Sequence, residues 1–219
     1  MNISENLKDL HSRIENAARS AGRNAEQVKL LAVSKTMTPD AIKEAYRAGQ
    51  RFFAENRVQE WIEKVPVLPS DCEWHIVGRL QTNKVKYLDD RVKLIHSLDR
   101  FDLLREMERQ GERKGLIWSA LVQVNVSRDK AKAGFMKEEI EDFLSSISEC
   151  AHVKVFGFMT IGELNATNEQ TQGFFRELRE LRDSLAAKNF PGVELRELSM
   201  GMSEDFELAI REGATMVRV

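Results

Sequence analysis

The hydrophobic positions of the chain follow a helical spacing over its first twenty residues. Gly22 ends this pattern and is a plausible helix stop. The apolar residues that fall on one stripe are Ile3, Leu7, Leu10, Ile14, Ala17 and Ala18. Because they recur at intervals of three and four residues, the spacing predicts an amphipathic helix over residues 2–21.

Beyond this helix, short runs rich in β-branched and aromatic residues alternate with stretches of helical pattern. The predicted strands cover residues 28–34, 51–56, 73–78, 93–98, 118–126, 153–161, 195–200 and 215–219. The predicted helices between them cover 39–49, 56–65, 100–115, 137–149, 171–189 and 203–213. Eight alternating units favour a closed parallel (β/α)8 barrel. We therefore predict one α/β TIM-barrel domain over residues 1–219, with an extra N-terminal helix and no helix after the last strand.

An open, doubly wound sheet is the alternative architecture for such an alternation. A nucleotide-binding sheet of that kind carries a Gly-x-Gly-x-x-Gly turn after its first strand. The segment from Ser34 to Asp40 follows the first predicted strand and contains no glycine. No linker rich in proline, glycine or serine divides the chain. The sequence therefore favours the single barrel.

Composition and charge exclude several classes of function. The chain has 219 residues, a net charge of -2 and 31% charged residues, so it has no basic surplus for binding DNA or RNA. No apolar run reaches the roughly 18 residues of a membrane span, and the first residues lack a signal-peptide layout. Two cysteines and four histidines show no metal-ligand spacing. We expect a cytoplasmic protein without nucleic-acid, membrane or metal partners.

Lys35 ends the first apolar strand, and it is the first candidate for chemistry. The loops at the carboxyl ends of barrel strands build the active site, so strand-end residues are the informative ones. A lysine at the end of a buried strand is partly desolvated, which favours the neutral amine that attacks an aldehyde. A hydrated ammonium that reaches out of the barrel mouth is the alternative. Lys35 is therefore a candidate Schiff-base residue.

The segment Ser-Met-Gly-Met-Ser at residues 199–203 follows the seventh strand, where TIM barrels often hold phosphate. Ser203 is a good helix N-cap, and Gly201 lets the backbone approach a ligand, so amides and a hydroxyl are placed to bind an anion. An ordinary serine-capped helix is the alternative. The acidic Glu204 and Asp205 oppose an anion unless they face away.

Arg218 lies in the last predicted strand, where alternation places it on the same face as Met216. An arginine inside a barrel needs an acceptor, which is either a structural ion pair or an atom of a ligand. His75 and Asn56, at the ends of the third and second strands, are placed to line the same cavity. A hydrogen-bonded core histidine is the alternative for His75.

Together these segments resemble the pyridoxal phosphate homeostasis protein family, the single-barrel relatives of the alanine racemase N-terminal domain. Ala54 stands where the family usually has glycine, and family members continue past the last motif with residues that contribute to the phosphate site. The matching motifs are LLAVSKT (30–36), ENRVQE (55–60), WHIVGRLQTNK (74–84), IHSLDR (95–100), QVNVSRDKAKAGF (123–135), FGFMTI (156–161), LSMGMSEDFELAI (198–210) and GATMVRV (213–219).

The resemblance implies that the cofactor is pyridoxal 5'-phosphate (PLP) and that Lys35 forms the internal aldimine with it. It implies that Arg218 faces the pyridine nitrogen and keeps it unprotonated, which makes the cofactor a weaker electron sink. Ser199, Gly201 and Ser203 then hold the phosphate, and Asn56 and His75 complete the cofactor site.

The resemblance further implies a protein that binds, buffers and delivers PLP without robust catalysis. Its suggested partners are PLP, other B6 vitamers and apo PLP enzymes, and its suggested state is a monomer or weak dimer. An amino-acid racemase is the alternative, but it needs an acid/base group on each face of the bound substrate. Alanine racemases supply one of these from a tyrosine on a second domain, whereas Tyr46 and Tyr87 fall in predicted helices here. A class I aldolase using Lys35 lacks an evident acid/base partner.

Overall fold

Eight parallel strands form the centre of the computed structural model, which describes residues 2–129, 131–163 and 165–219. Each strand pairs with the next one along the chain, and the last pairs with the first, so the sheet closes into a barrel. The strands are β1 Lys29–Val33, β2 Phe52–Glu55, β3 Glu73–Ile76, β4 Val92–Leu98, β5 Trp118–Gln123, β6 Val153–Met159, β7 Val193–Met202 and β8 Met216–Arg218. The predicted single-domain TIM barrel is confirmed.

Eight α-helices surround the barrel within the described residues. They are α1 Ile3–Ser20, α2 Pro39–Arg47, α3 Val58–Lys64, α4 Thr82–Val85, α5 Phe101–Lys114, α6 Ile140–Ser146, α7 Asn168–Ala186 and α8 Phe206–Arg211. Six lie within a few residues of the predicted helices between strands. The single turn α4 lies between β3 and β4, where the hydrophobic pattern predicts no helix.

The predicted N-terminal helix α1 completes the outer layer of the barrel. Its first turn is capped by Asn2, whose side chain accepts a hydrogen bond from the Glu5 amide. Helix α1 packs against α8 and α2. Because α8 precedes β8 and α2 follows β1, α1 covers the junction where the first and last strands pair. An ion pair of 2.8 Å between Arg13 and Glu207 joins α1 to α8.

The strands separate two apolar clusters. The larger cluster lies between the barrel and its helices and includes Val217. The smaller one fills the barrel and consists of Leu31, Ala54, Val77, Leu94, Leu121, Met159 and Met216. The prediction that Met216 and Arg218 share a face is confirmed, since Met216 points inward and the Arg218 side chain contacts Ser199 and Thr160.

The structure also bears on metal binding and membrane insertion. Among residues 2–129, 131–163 and 165–219, no three histidine, cysteine or acidic side chains cluster closely enough to hold a metal ion. None of the helices in the same ranges combines the length and apolar character needed to cross a bilayer.

Candidate functional site

A cavity of about 550 Å³ opens at the carboxyl ends of the strands. Residues at the ends of β1, β2, β3, β5, β7 and β8 contribute to its wall. Four of the seven residues predicted for the site line it, namely Lys35, Asn56, Ser203 and Arg218. His75 and Ser199 are buried in the barrel and reach the cavity only through their hydrogen-bond partners. Gly201 faces a helix instead.

Lys35 lies two residues beyond β1 and lines the mouth of the cavity. Its side chain is exposed, so the desolvation predicted from the apolar run before it is wrong for this structure. The apolar run ends at Val33, and Ser34 is the last buried residue before the turn. The amine therefore meets both the cavity and solvent.

Arg218 forms the floor of the cavity and is buried. It donates hydrogen bonds of 2.7 Å to Ser199 Oγ and of 2.8 Å to the Thr160 carbonyl oxygen. Both acceptors are neutral groups, a serine hydroxyl and a backbone carbonyl. Burial lowers the pKa of Arg218 to about 10, and the charge of Asp205 opposes that shift. Arg218 is therefore charged at neutral pH and keeps further N–H donors for an acceptor in the cavity.

A chain of buried side chains leads from Arg218 into the barrel. Ser199 Oγ lies 2.8 Å from His96 Nδ1, and His96 Nε2 lies 2.8 Å from His75 Nδ1. Burial lowers the pKa of His75 to about 3, with a smaller effect from the charge of Lys29. Burial, the proximity of His75 and the charge of Arg218 together place the pKa of His96 well below its usual value. Both imidazoles are therefore neutral at physiological pH.

A guanidinium only donates, so Ser199 Oγ accepts the hydrogen bond from Arg218. We assign the Ser199 hydroxyl proton to His96 Nδ1, because this choice leaves Ser199 both accepting and donating. His96 then carries its own proton on Nε2 and donates it to His75 Nδ1. This assignment gives every proton along the chain from Arg218 to His75 an acceptor.

The segment at residues 199–203 differs from its predicted arrangement. Helix α8 begins at Phe206 with Asp205 as its N-cap, so the prediction that Ser203 caps this helix is wrong. Ser203 lies in the turn before α8 and lines the cavity. One oxygen of Asp205 accepts a hydrogen bond of 2.6 Å from the Met202 amide.

Gly201 has a φ of +93°, and a Cβ at this position would lie 2.6 Å from Ala209 Cβ. Its lack of a side chain therefore lets α8 pack against β7. This contact explains why a glycine is needed there without a ligand.

The cavity wall also includes Gly78 and Arg79, from the segment at the end of β3, and Gln123 and Lys132, which sequence reasoning missed. Gly78 is needed because a Cβ there would lie 2.2 Å from the Asn56 carbonyl oxygen. Lys132 adds a second amine, whose Nζ lies 3.3 Å from the Gly162 carbonyl oxygen. Its position in the strand-end segment after β5 is the signal that could have found it.

Comparison with known proteins identifies relatives along the full chain. The profile of the family described as alanine racemase, N-terminal domain, matches residues 6–219. A pyridoxal phosphate homeostasis protein of Aquifex aeolicus (strain VF5) is 44% identical over 220 residues, which cover 100% of this chain and 96% of that protein. The protein of the same name from Escherichia coli (strain K12) is 33% identical and covers 99% of this chain and 93% of its own.

Solved structures show the same relationship. PipY of Synechococcus elongatus PCC7942, solved with PLP bound, is 38% identical with a TM-score of 0.86, covering 99% of this chain and 97% of that chain. An alanine racemase of Clostridium difficile 630 is 16% identical with a TM-score of 0.71 over 99% of this chain and 54% of that chain, which shows a shared fold alone. The chain belongs to the pyridoxal phosphate homeostasis proteins, within the family of the alanine racemase N-terminal domain.

Proposed function

We propose that this protein binds PLP reversibly and takes part in intracellular PLP homeostasis by buffering the cofactor and delivering it to apo enzymes. One observation carries the proposal: a single cavity brings together the Lys35 amine, the Ser203 hydroxyl and the Arg218 guanidinium. The relatives named for PLP homeostasis, and PipY solved with PLP bound, support the same function.

The cavity fits this cofactor in size and in chemistry. Its volume of about 550 Å³ lies within the range of about 300–1,000 Å³ typical of small-molecule sites. PLP supplies an aldehyde, an electron-accepting pyridine ring and a phosphate. The described lining of the cavity offers the Lys35 amine at the mouth and the hydrogen-bond donors of Arg218 at the floor. It also includes two further cationic side chains, Arg79 and Lys132. An anionic ligand therefore meets positive charge on several sides.

Lys35 is the residue proposed to bond covalently to the aldehyde. Its Nζ lone pair adds to the carbonyl carbon, and one water molecule leaves as the carbon–nitrogen double bond forms. The step needs no oxidant or reductant, and the reverse addition of water releases the cofactor. Because Lys35 is exposed at the mouth, water reaches this bond readily, which suits reversible storage.

Arg218 is the residue proposed to face the pyridine nitrogen. A protonated guanidinium donates a hydrogen bond to that nitrogen and leaves it unprotonated, which weakens electron withdrawal by the ring. The bonds to Ser199 and Thr160 fix the orientation of the guanidinium. We therefore assign Ser199 to the support of Arg218, His75 to the hydrogen-bonded chain behind Ser199, and Gly201 to the packing of α8 on β7. Asn56 and Ser203 remain proposed direct contacts.

The same proposal includes the absence of robust catalysis. A racemase needs an acid/base group on both faces of its substrate. Neither tyrosine lines the described cavity: Tyr46 donates its hydroxyl hydrogen bond to Asp71, and Tyr87 is half exposed on the surface. We further propose that the protein binds other B6 vitamers and contacts apo PLP enzymes. We propose that it is a cytoplasmic monomer or weak dimer.

Replacing Lys35 by alanine tests the central residue. We expect Lys35→Ala to lose the absorbance near ~420 nm that PLP gives when bonded to a protein amine. The measurement is a titration of purified protein with PLP, followed by borohydride reduction and peptide mapping of the modified lysine. Lys8→Ala, on the exposed face of α1, serves as the control and should keep the absorbance. An unchanged spectrum of Lys35→Ala would remove Lys35 from the proposal.

Amino-acid racemisation by the pure protein tests the alternative function. We expect no sustained turnover of alanine over several hours above that of free PLP. The measurement is chiral chromatography of the amino acid after incubation with PLP-loaded protein. Turnover above the PLP control that disappears in Lys35→Ala would favour the racemase instead.

A further inference from the structure

Lys64 lies at the end of α3 and is the centre of a buried polar cluster behind Lys35. Its side chain is only 8% exposed, yet all three of its N–H donors have acceptors. They are the Ser34 carbonyl oxygen at 2.7 Å, Glu55 Oε1 at 2.7 Å and Glu60 Oε2 at 3.0 Å. The proposed cofactor chemistry assigns no role to this cluster.

The cluster holds the backbone on both sides of Lys35. Before Lys35, the Ser34 carbonyl accepts from Lys64, and the Ser34 hydroxyl donates to Glu55 at 2.6 Å. After Lys35, the Thr36 amide donates to Glu60 Oε2 at 2.8 Å. The two peptide groups that flank Lys35 therefore connect to the same ammonium, one directly and one through Glu60.

The turn after Lys35 needs such support. Thr36 has a φ of +62°, in the left-handed region that a β-branched residue rarely adopts. The hydrogen bond from the Thr36 amide to Glu60 holds this conformation, and the Thr36 hydroxyl donates a hydrogen bond of 2.6 Å to the Lys35 carbonyl oxygen. The bonds to Thr36 and Lys64 also hold the pKa of Glu60 below its usual value, so Glu60 is ionised at neutral pH.

We propose that Lys64 is a positioning residue for Lys35: with Glu55 and Glu60 it fixes both flanking peptide groups, so that the Lys35 amine stays over the cavity in the orientation that bonds to an aldehyde. The inference rests on the proposed function, because it assigns Lys64 a role in the bond that Lys35 forms. Lys64 itself does not line the cavity, so the proposed role acts through Lys35.

The test separates bound PLP from covalently bonded PLP. Equilibrium dialysis gives the total PLP bound, and borohydride reduction with peptide mapping gives the fraction attached to Lys35. In Lys64→Met, which keeps the length of the side chain and removes its donors, we expect this fraction to fall roughly tenfold. Total binding at saturating PLP should change much less, because Arg218 and Ser203 remain in place.

A second buried polar cluster provides a matched control. Glu212 directly follows α8, is buried, and accepts from two α7 side chains, Gln172 at 2.7 Å and Arg179 at 2.8 Å. Glu212→Gln removes a buried charge without touching the cavity. We expect it to lower the stability of the fold and to leave the covalent fraction per bound PLP unchanged.

Lys64→Met leaves the buried Glu55 carboxylate without its cation, which destabilises the fold, so Glu60→Ala supplies a milder second test. That variant removes the acceptor of the Thr36 amide and keeps the Lys64–Glu55 pair. We expect a fall of about threefold or more in the covalent fraction. An unchanged fraction in a folded Lys64→Met, or in Glu60→Ala when Lys64→Met does not fold, overturns the positioning role. A wild-type protein that binds no PLP overturns the proposed function instead.

Discussion

Gly201 has a ligand role in the sequence prediction and a packing role in the structure. The pattern around it suggested close approach to a phosphate, because glycine often allows this at strand ends. Its φ of +93° and the short distance from its Cβ position to Ala209 follow instead from the packing of α8 on β7. Sequence identified the special residue correctly but not its neighbour, since that neighbour is set by tertiary packing.

Replacing Gly201 by alanine should therefore destabilise the protein. The added methyl group meets Ala209, and the backbone is strained at positive φ, so we expect a loss of roughly 2–4 kcal/mol in the free energy of unfolding. Denaturant unfolding measures the change. Gly173→Ala in α7 is the matched control, because its Cβ position has no neighbour within 4 Å. It should stabilise the protein by up to about 1 kcal/mol, and a neutral Gly201→Ala would contradict the packing role.

At the scale of elements, side-chain hydrogen bonds connect strands that lie far apart in the sequence. The chain from His75 to Arg218 joins β3, β4, β7 and β8 across the inside of the barrel. The strands were predicted from their hydrophobic pattern, and the face that Arg218 shares with Met216 was predicted from alternation. The contact of His96 with Ser199 was not, because these residues are 103 positions apart and only barrel closure brings them together.

This buried histidine pair should make stability depend on pH. The unfolded chain protonates His75 near pH 6.5, whereas the folded chain does so only near its lowered pKa of about 3. Between these values the unfolded state binds more protons, so the free energy of unfolding falls as the pH decreases. We expect a slope of up to about 1.4 kcal/mol per pH unit for this histidine.

The measurement compares denaturant unfolding between pH 7 and pH 4.5 in the wild type and in His75→Gln. The variant should lose less stability over this interval, because one buried imidazole is absent. Equal pH dependence in both proteins would show that His75 does not titrate differently on folding.

At the scale of the whole molecule, α1 determines how the outer layer is completed. The alternation of strands and helices was sufficient to predict the barrel, and the apolar stripe was sufficient to predict α1. Its position over the junction of β8 and β1 was not predictable, since a stripe tells which face is buried but not against which surface. Likewise, sequence found Lys35 and Arg218 but not Lys64, whose role depends on contacts across three elements.

Shortening a buried side chain of α1 tests its contribution. Ile14 is 3% exposed, and Ile14→Ala should lower the free energy of unfolding by about 2–4 kcal/mol, through lost burial and the cavity that remains. His11→Ala, on the exposed face of the same helix, should change it by less than about 0.5 kcal/mol. A loss of similar size in both variants would contradict the packing of α1 on the barrel.

The arginine at the floor of the cavity has one more consequence. Protons travel along hydrogen bonds only where each member of the wire can both accept one and pass one on. The charged guanidinium of Arg218 cannot accept a proton, so proton transfer along His75, His96 and Ser199 cannot continue through Arg218 into the cavity. The two buried histidines therefore exchange no protons with the cavity by this route. A reaction in the cavity would have to exchange protons with other lining residues or with water.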